Sequence, residues 1–251
     1  MFYRLRFGHM GNLKIGILLS DHVLDDLQEK HGNQDNFYRR IFQETNQDVT
    51  IEIYDVTQFT YPKSLNECDG YIITGSKLSV YDNVRWIKEL EEFVTDLFLN
   101  KRPLLGVCFG HQLIAKALGG EVKKADIGWV LGVQSYEFKT NYPWLEYMNE
   151  DVQLIHSHQD QVMRLPERAT LVASNKHVPN SMYYIEDHVM CMQGHPEFTN
   201  AYAYDVLCKR RDVLGEDKFK QAESSLLNEK TDYLEVTNWW LEFFKSKNQL
   251  Q

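Results

Sequence analysis

The stretch Leu104-Leu105-Gly106-Val107-Cys108-Phe109-Gly110-His111-Gln112-Leu113-Ile114-Ala115 constrains this chain more than any other. Its apolar start reads as a buried strand, good helix formers follow, and Gly106 and Gly110 stand on either side of the junction. A strand can feed a helix through so short a connection only if small residues let the two backbones close on each other. The residue at the turn is then lifted above the sheet edge, as in a Gly-x-Ser-x-Gly nucleophile elbow, here with sulfur in place of oxygen. The helix N-terminus would offer Cys108 free N–H groups and the positive end of the macrodipole, which favour a charged sulfur. The competing reading is a buried core thiol, the common fate of free cysteine. A core cysteine needs no flanking glycines, so the nucleophile is preferred.

The surrounding pattern is that of an α/β protein. Continuous apolar runs at Leu13–Leu19, Val49–Tyr54, Gly70–Thr74 and Pro103–Val107 suit strands covered on both faces of a parallel sheet. Between them, Asn36–Glu44 and Val84–Leu99 carry apolar residues at helical spacing. Strand and helix alternate to about residue 120, which predicts a doubly wound, mostly parallel sheet flanked by helices. From Trp129 to Met192 short β-type runs follow one another, predicting an antiparallel extension and a return strand, and from Thr199 to Phe244 the pattern is helical. We expect one α/β domain over residues 13–200, with a C-terminal helical extension over 201–251 packed on it. Residues 1–12 match no periodic template.

Composition excludes several partners. Asp plus Glu is 36 against 27 for Lys plus Arg, a formal charge of -9, which disfavours nucleic acid and anionic membrane surfaces. No apolar run reaches the roughly 18 residues of a membrane span, and the N-terminal stretch lacks a signal-peptide form. Cys68, Cys108, Cys191 and Cys208 are scattered, without a CxxC pair, so reduced thiols and a cytoplasmic setting are expected, with no metal site and no cofactor.

A thiol nucleophile needs a base, and the base an orienter. Val189-Met190-Cys191-Met192-Gln193-Gly194-His195-Pro196-Glu197 supplies both after an apolar strand. In extended chain His195 and Glu197 project to the same side, so the carboxylate can fix one imidazole nitrogen and leave the other for sulfur. Other candidates are weaker. Cys191 on a strand and Cys208 in a helix are taken as packing residues. His156 and His158 lack a third ligand at metal spacing. Lys209, Arg210 and Arg211 read as a solvated helix face, and Trp239, Trp240, Phe243 and Phe244 as the buried stripe of the last helix.

These residues resemble the class I, triad-type glutamine amidotransferases, whose signatures are a GxCxGxQ elbow and a GxHPE segment. Gly106-Val107-Cys108-Phe109-Gly110-His111-Gln112 fits the first in full, and Gly194-His195-Pro196-Glu197 fits the second except that its glycine directly precedes the histidine. Ile72-Ile73-Thr74-Gly75-Ser76 looks like the family's strand-end glycine loop, although Thr-Gly-Ser stands where the GMP-synthetase type commonly has adjacent glycines and a proline. Ile155-His156-Ser157-His158-Gln159-Asp160 looks like its Ser-His-x-Asp loop. The resemblance is nearest to stand-alone members similar to the glutaminase half of GMP synthetase, gamma-glutamyl peptidases among them.

The resemblance implies a flavodoxin-like fold and cysteine-dependent hydrolysis of a gamma-glutamyl amide bond, in glutamine or a gamma-glutamyl peptide, through a thioester. Cys108, His195 and Glu197 would form the triad. The oxyanion would be held at Gly75, Ser76 and Phe109, and the substrate by Gln112, Ser157, His158 and Gln159. No SGGxDS phosphate loop follows, so amination of an acceptor would need a separate synthetase chain receiving ammonia. A glutaminase subunit with such a partner is therefore one alternative. A non-catalytic or redox-sensing protein on the same scaffold is another, disfavoured because a sensor needs no oriented base.

Overall fold

The computed structural model describes residues 12–139 and 151–248; residues 1–11, which fit no periodic pattern, lie outside them. The first half alternates as expected: β1 (Leu13–Leu19), α1 (Asp25–His31), α2 (Gln34–Glu44), β2 (Val49–Asp55), β3 (Gly70–Ile73), α3 (Arg85–Leu99), β4 (Leu104–Val107) and α4 (Phe109–Ala117). Then come β5 (Glu121–Lys124), β6 (Val130–Phe138), β7 (Asp151–His158), β8 (Asp160–Arg164), β9 (Ala169–Ser174), β10 (Met182–Ile185) and β11 (Val189–Met192). The chain ends in α5 (Asn200–Lys209), α6 (Arg211–Leu214), α7 (Glu216–Asn228) and α8 (Tyr233–Asn248).

Nine strands form one sheet in the order β2-β1-β3-β4-β11-β10-β9-β6-β7. The pairs from β2 through β11 are parallel, and those from β11 to β7 antiparallel. The four-residue strands β3, β4 and β11 are buried throughout, which is why their sequences run apolar without alternation. Core forms on both faces. Tyr38 and Phe42 of α2 pack with Trp240 and Phe244 of α8 on one side; Ile87, Leu90 and Val94 of α3 pack with Leu113 and Ile114 of α4 on the other. Among the described residues no helix is long and apolar enough to cross a membrane.

Three elements carry too weak a pattern to be read in advance. Helix α1 buries only Leu27, and the polar strands β5 and β8 form a separate two-stranded sheet. Cys208, expected to pack, is exposed on α5, whereas Cys191 is buried.

The sheet order brings distant segments together. Strands β3, β4 and β11 are adjacent, Ile73 pairing with Gly106 and Met192 with Val107, so the loops after all three open at the same edge. Strand β6 meets β9 only through Glu137 and Phe138. The rest of β6 pairs with β7 at the end of the sheet, and Ile155 of β7 forms an isolated bridge with His195.

Candidate active site

Cys108 occupies the turn between β4 and α4 with φ 52° and ψ −99°, a region L-residues rarely adopt and that costs on the order of 1–3 kcal/mol. The conformation is held from both sides: Cys108 N–H donates to the Met192 carbonyl at 3.0 Å, and the Cys108 carbonyl accepts from Gln112 N–H at 3.0 Å. The flanking glycines are required by close approach. A methyl on Gly110 would lie 2.4 Å from the Ile73 carbonyl oxygen, and one on Gly106 would lie 2.6 Å from the Gly110 backbone.

His195 follows β11 and is fixed on several sides. Its N–H donates to the Ile155 carbonyl at 2.8 Å, and its Nδ1 lies 2.7 Å from Glu197 Oε1. Phe198 stacks on the ring with centroids 3.9 Å apart and planes 10° from parallel. With Nδ1 on the carboxylate, the opposite nitrogen is left for the side of the ring nearer Cys108. Both His195 and Glu197 are buried. Burial opposes charge on the imidazole, but the negative charges of Glu197 and of the Cys108 sulfur outweigh it and raise the ring to about 10. His195 therefore holds a proton at neutral pH. Arg40 anchors the segment from α2 by donating to the Glu197 backbone carbonyl at 2.9 Å.

The glycine loop after β3 lies against this pair. A methyl on Gly75 would stand 3.0 Å from His195 Cε1 and 3.7 Å from Cys108 Cβ. The Gly75 carbonyl accepts from Gln34 Nε2 and from the Thr74 hydroxyl, both at 3.2 Å, which fixes the loop.

The remaining sequence-derived residues converge less simply. Gln112 is buried, and its Nε2 donates to the Asp160 carbonyl at 2.7 Å and to Gln193 Oε1 at 3.1 Å, so the elbow helix, the 157–160 segment and the strand before His195 are tied together. Ser157 Oγ accepts from Arg210 at 2.6 Å, and the Gln159 carbonyl accepts from Ala125 N–H. His158 is buried beside His156, ring centroids 5.2 Å apart, and neither ring has a hydrogen-bond partner among the described residues. Burial, reinforced by neighbouring histidines, pushes both well down, His156 to about 3, so both are neutral.

Against this geometry the comparisons with known proteins are decisive for the family. Residues 32–208 match the family model described as glutamine amidotransferase class-I. The chain belongs to the class-I glutamine amidotransferase family. Gamma-glutamyl peptidase 3 of Arabidopsis thaliana is 35% identical over 156 residues, 60% of this chain and 63% of that protein, so the match spans somewhat under two thirds of the relative's length. A GMP synthase [glutamine-hydrolyzing] of Bacteroides fragilis is 30% identical over 60% of this chain but only 28% of its own. The crystal structure of a glutamine amidotransferase from Thermotoga maritima superposes with a TM-score of 0.74 at 18% identity, covering 94% of this chain and 99% of that one, a likeness of fold.

Some residues around the amidotransferase site carried no sequence signal. Phe198 directly follows His-Pro-Glu and could have been suspected as a ring support; Arg40 and Tyr136, whose hydroxyl accepts from Gly194 N–H at 2.8 Å, could not. Arg210 overturns its reading as part of a solvated face. It is half-buried, bonded to Ser157 and stacked over Trp129 at 4.3 Å.

Proposed function

We propose that this chain hydrolyses a gamma-glutamyl amide bond, in glutamine or a gamma-glutamyl peptide, through a thioester on Cys108. The observation that carries the reading is the His195–Glu197 pair, oriented at 2.7 Å and turned toward a cysteine held in a strained elbow. In the first step the sulfur attacks the amide carbonyl carbon, a C–S bond forms, and the carbonyl π electrons move to oxygen. We place that oxyanion at backbone N–H groups of Phe109 and of Gly75 or Ser76, worth on the order of 3 kcal/mol for each donor. Collapse re-forms the carbonyl and breaks the C–N bond, and the proton of His195 goes to the departing nitrogen. The neutral imidazole then takes a proton from water as it attacks the thioester, releasing glutamate and the sulfur. Glu197 keeps the ring in one tautomer throughout.

For substrate orientation we propose Gln112 with the segment Ser157, His158 and Gln159. Because Gln112 Nε2 is engaged by Asp160 and Gln193, its side-chain oxygen is the group it can offer, and its other contribution is to hold the segment in place. The family relation and the gamma-glutamyl peptidase relatives support hydrolysis as the reaction class. The match to 28% of a GMP synthase favours a second reading, a glutaminase that passes ammonia to a separate synthetase chain. A leaving-group screen with the purified chain separates them. Turnover of gamma-glutamyl dipeptides above that of glutamine supports the free-standing hydrolase. Weak glutaminase activity alone, raised by an added synthetase, supports the second reading, and no gamma-glutamyl turnover under either condition sinks both.

A further inference from the structure

Arg210 caps the C-terminal end of α5, two residues beyond the part of the chain that the family model matches. Its neighbours are ion-paired at the surface, Lys209 with Asp26 and Arg211 with Glu216. Arg210 is different. It is half-buried, its Nη1 donates to Ser157 Oγ at 2.6 Å, its guanidinium lies 4.3 Å over the Trp129 ring, and among the described residues it meets no carboxylate. Removing a guanidinium from water without a counter-charge is unfavourable. Ser157 and Trp129 hold the group rigidly but supply no negative charge, and one hydrogen bond leaves the rest of its planar fork of donors free for an anion.

The location points to the substrate as the source of that anion. Ser157 sits on β7 between His156 and His158, and two residues before it Ile155 binds the backbone of His195. A gamma-glutamyl substrate carries a carboxylate on its glutamyl α-carbon, and a peptide leaving group carries a second one.

We infer that Arg210 is a specificity residue that binds a substrate carboxylate away from the scissile amide, an assignment that rests on the gamma-glutamyl reading above. The fork of a guanidinium held between an aromatic face and a hydroxyl fits the two oxygens of a carboxylate.

The test titrates intact ligands into the full chain carrying Cys108→Ala, alone and combined with Arg210→Met or Arg210→Gln, after circular dichroism has shown each to be folded. The ligands are glutamine, gamma-glutamylglycine and gamma-glutamylglycinamide. A tenfold or larger loss of affinity in both Arg210 variants is expected. Loss on all three ligands places the glutamyl α-carboxylate on Arg210, whereas loss confined to gamma-glutamylglycine places the leaving-group carboxylate there. Three results overturn the inference: affinities within twofold of the parent for all three ligands, a parent that binds none of them, or a loss in Arg210→Met that Arg210→Gln does not share, which would reflect a neutral hydrogen bond and not the guanidinium charge. Turnover of the same compounds by the unsubstituted chain is measured separately. A chain that binds them with Arg210 dependence but hydrolyses none contradicts the proposed hydrolysis and leaves the binding assignment standing.

Discussion

His195 is buried between a carboxylate and a sulfur, and the protonation state of the site follows from that placement. Burial alone would lower the ring; the charges of Glu197 and Cys108 reverse the sign and raise it to about 10. A group raised on folding stabilises the native state fully below its unfolded value, about 6.5, and loses that contribution as pH climbs to the folded value. Against a His195→Gln variant, the native chain should therefore lose its stability advantage between about pH 6.5 and 10, measured by urea midpoints across that range; a flat difference would contradict the raised ring. In the proposed hydrolysis the same proton goes to the leaving amine, so kcat should hold through neutral pH and fall as pH passes about 10. Glu197→Gln keeps the shape at Nδ1 and removes the largest charge that raises the ring. Its alkaline limb should shift to lower pH and its kcat drop on the order of 10²–10⁴-fold. An unshifted pH profile would show that Glu197 does not set the ring.

The strand-turn-helix unit of β4, Cys108 and α4 depends on contacts that no side chain can share. Gly110→Ala would drive a methyl to 2.4 Å from the Ile73 carbonyl, a backbone atom that cannot rotate away, so a loss of about 1–3 kcal/mol or more in denaturant unfolding is expected. At the β3 loop the prediction separates backbone from side chain. Gly75→Val, whose branched side chain meets His195, should lower kcat/KM by a hundredfold or more, while Ser76→Ala should stay within a few-fold; equal large losses would make the Ser76 hydroxyl a donor. This unit was legible in the sequence because its demands are local. The apolar run, the two glycines and the helix formers each report a short-range steric condition. Helix α1 and strands β5 and β8 were not legible, because α1 buries only Leu27 and the β5 sequence EVKK has no buried face.

Across the whole molecule the parallel order β3-β4-β11 converts three separate segments into one site, and this too could be anticipated, since strand ends of an alternating α/β chain share an edge. What could not be anticipated is the path of the β6–β7 hairpin. Its contact with His195 is an isolated bridge, and the Arg210–Ser157 and Arg210–Trp129 contacts join residues far apart in sequence, with no periodicity to announce them. The last helix was announced by its aromatic stripe. Trp240 is fully buried against Tyr38 and Phe42, so Trp240→Ala should cost about 3–5 kcal/mol of stability, read from chemical denaturation, and a cost under about 1 kcal/mol would mean that α8 is not part of the core. The central claim is that the sulfur lifted by this fold carries the glutamyl group. Intact-protein mass spectrometry after acid quench during turnover of a gamma-glutamyl substrate tests it directly. The account predicts an adduct of the glutamyl mass that maps to Cys108, is abolished by Cys108→Ala and persists in Cys191→Ala and Cys208→Ala. Turnover retained by Cys108→Ala, or an adduct mapped to another residue, would contradict it.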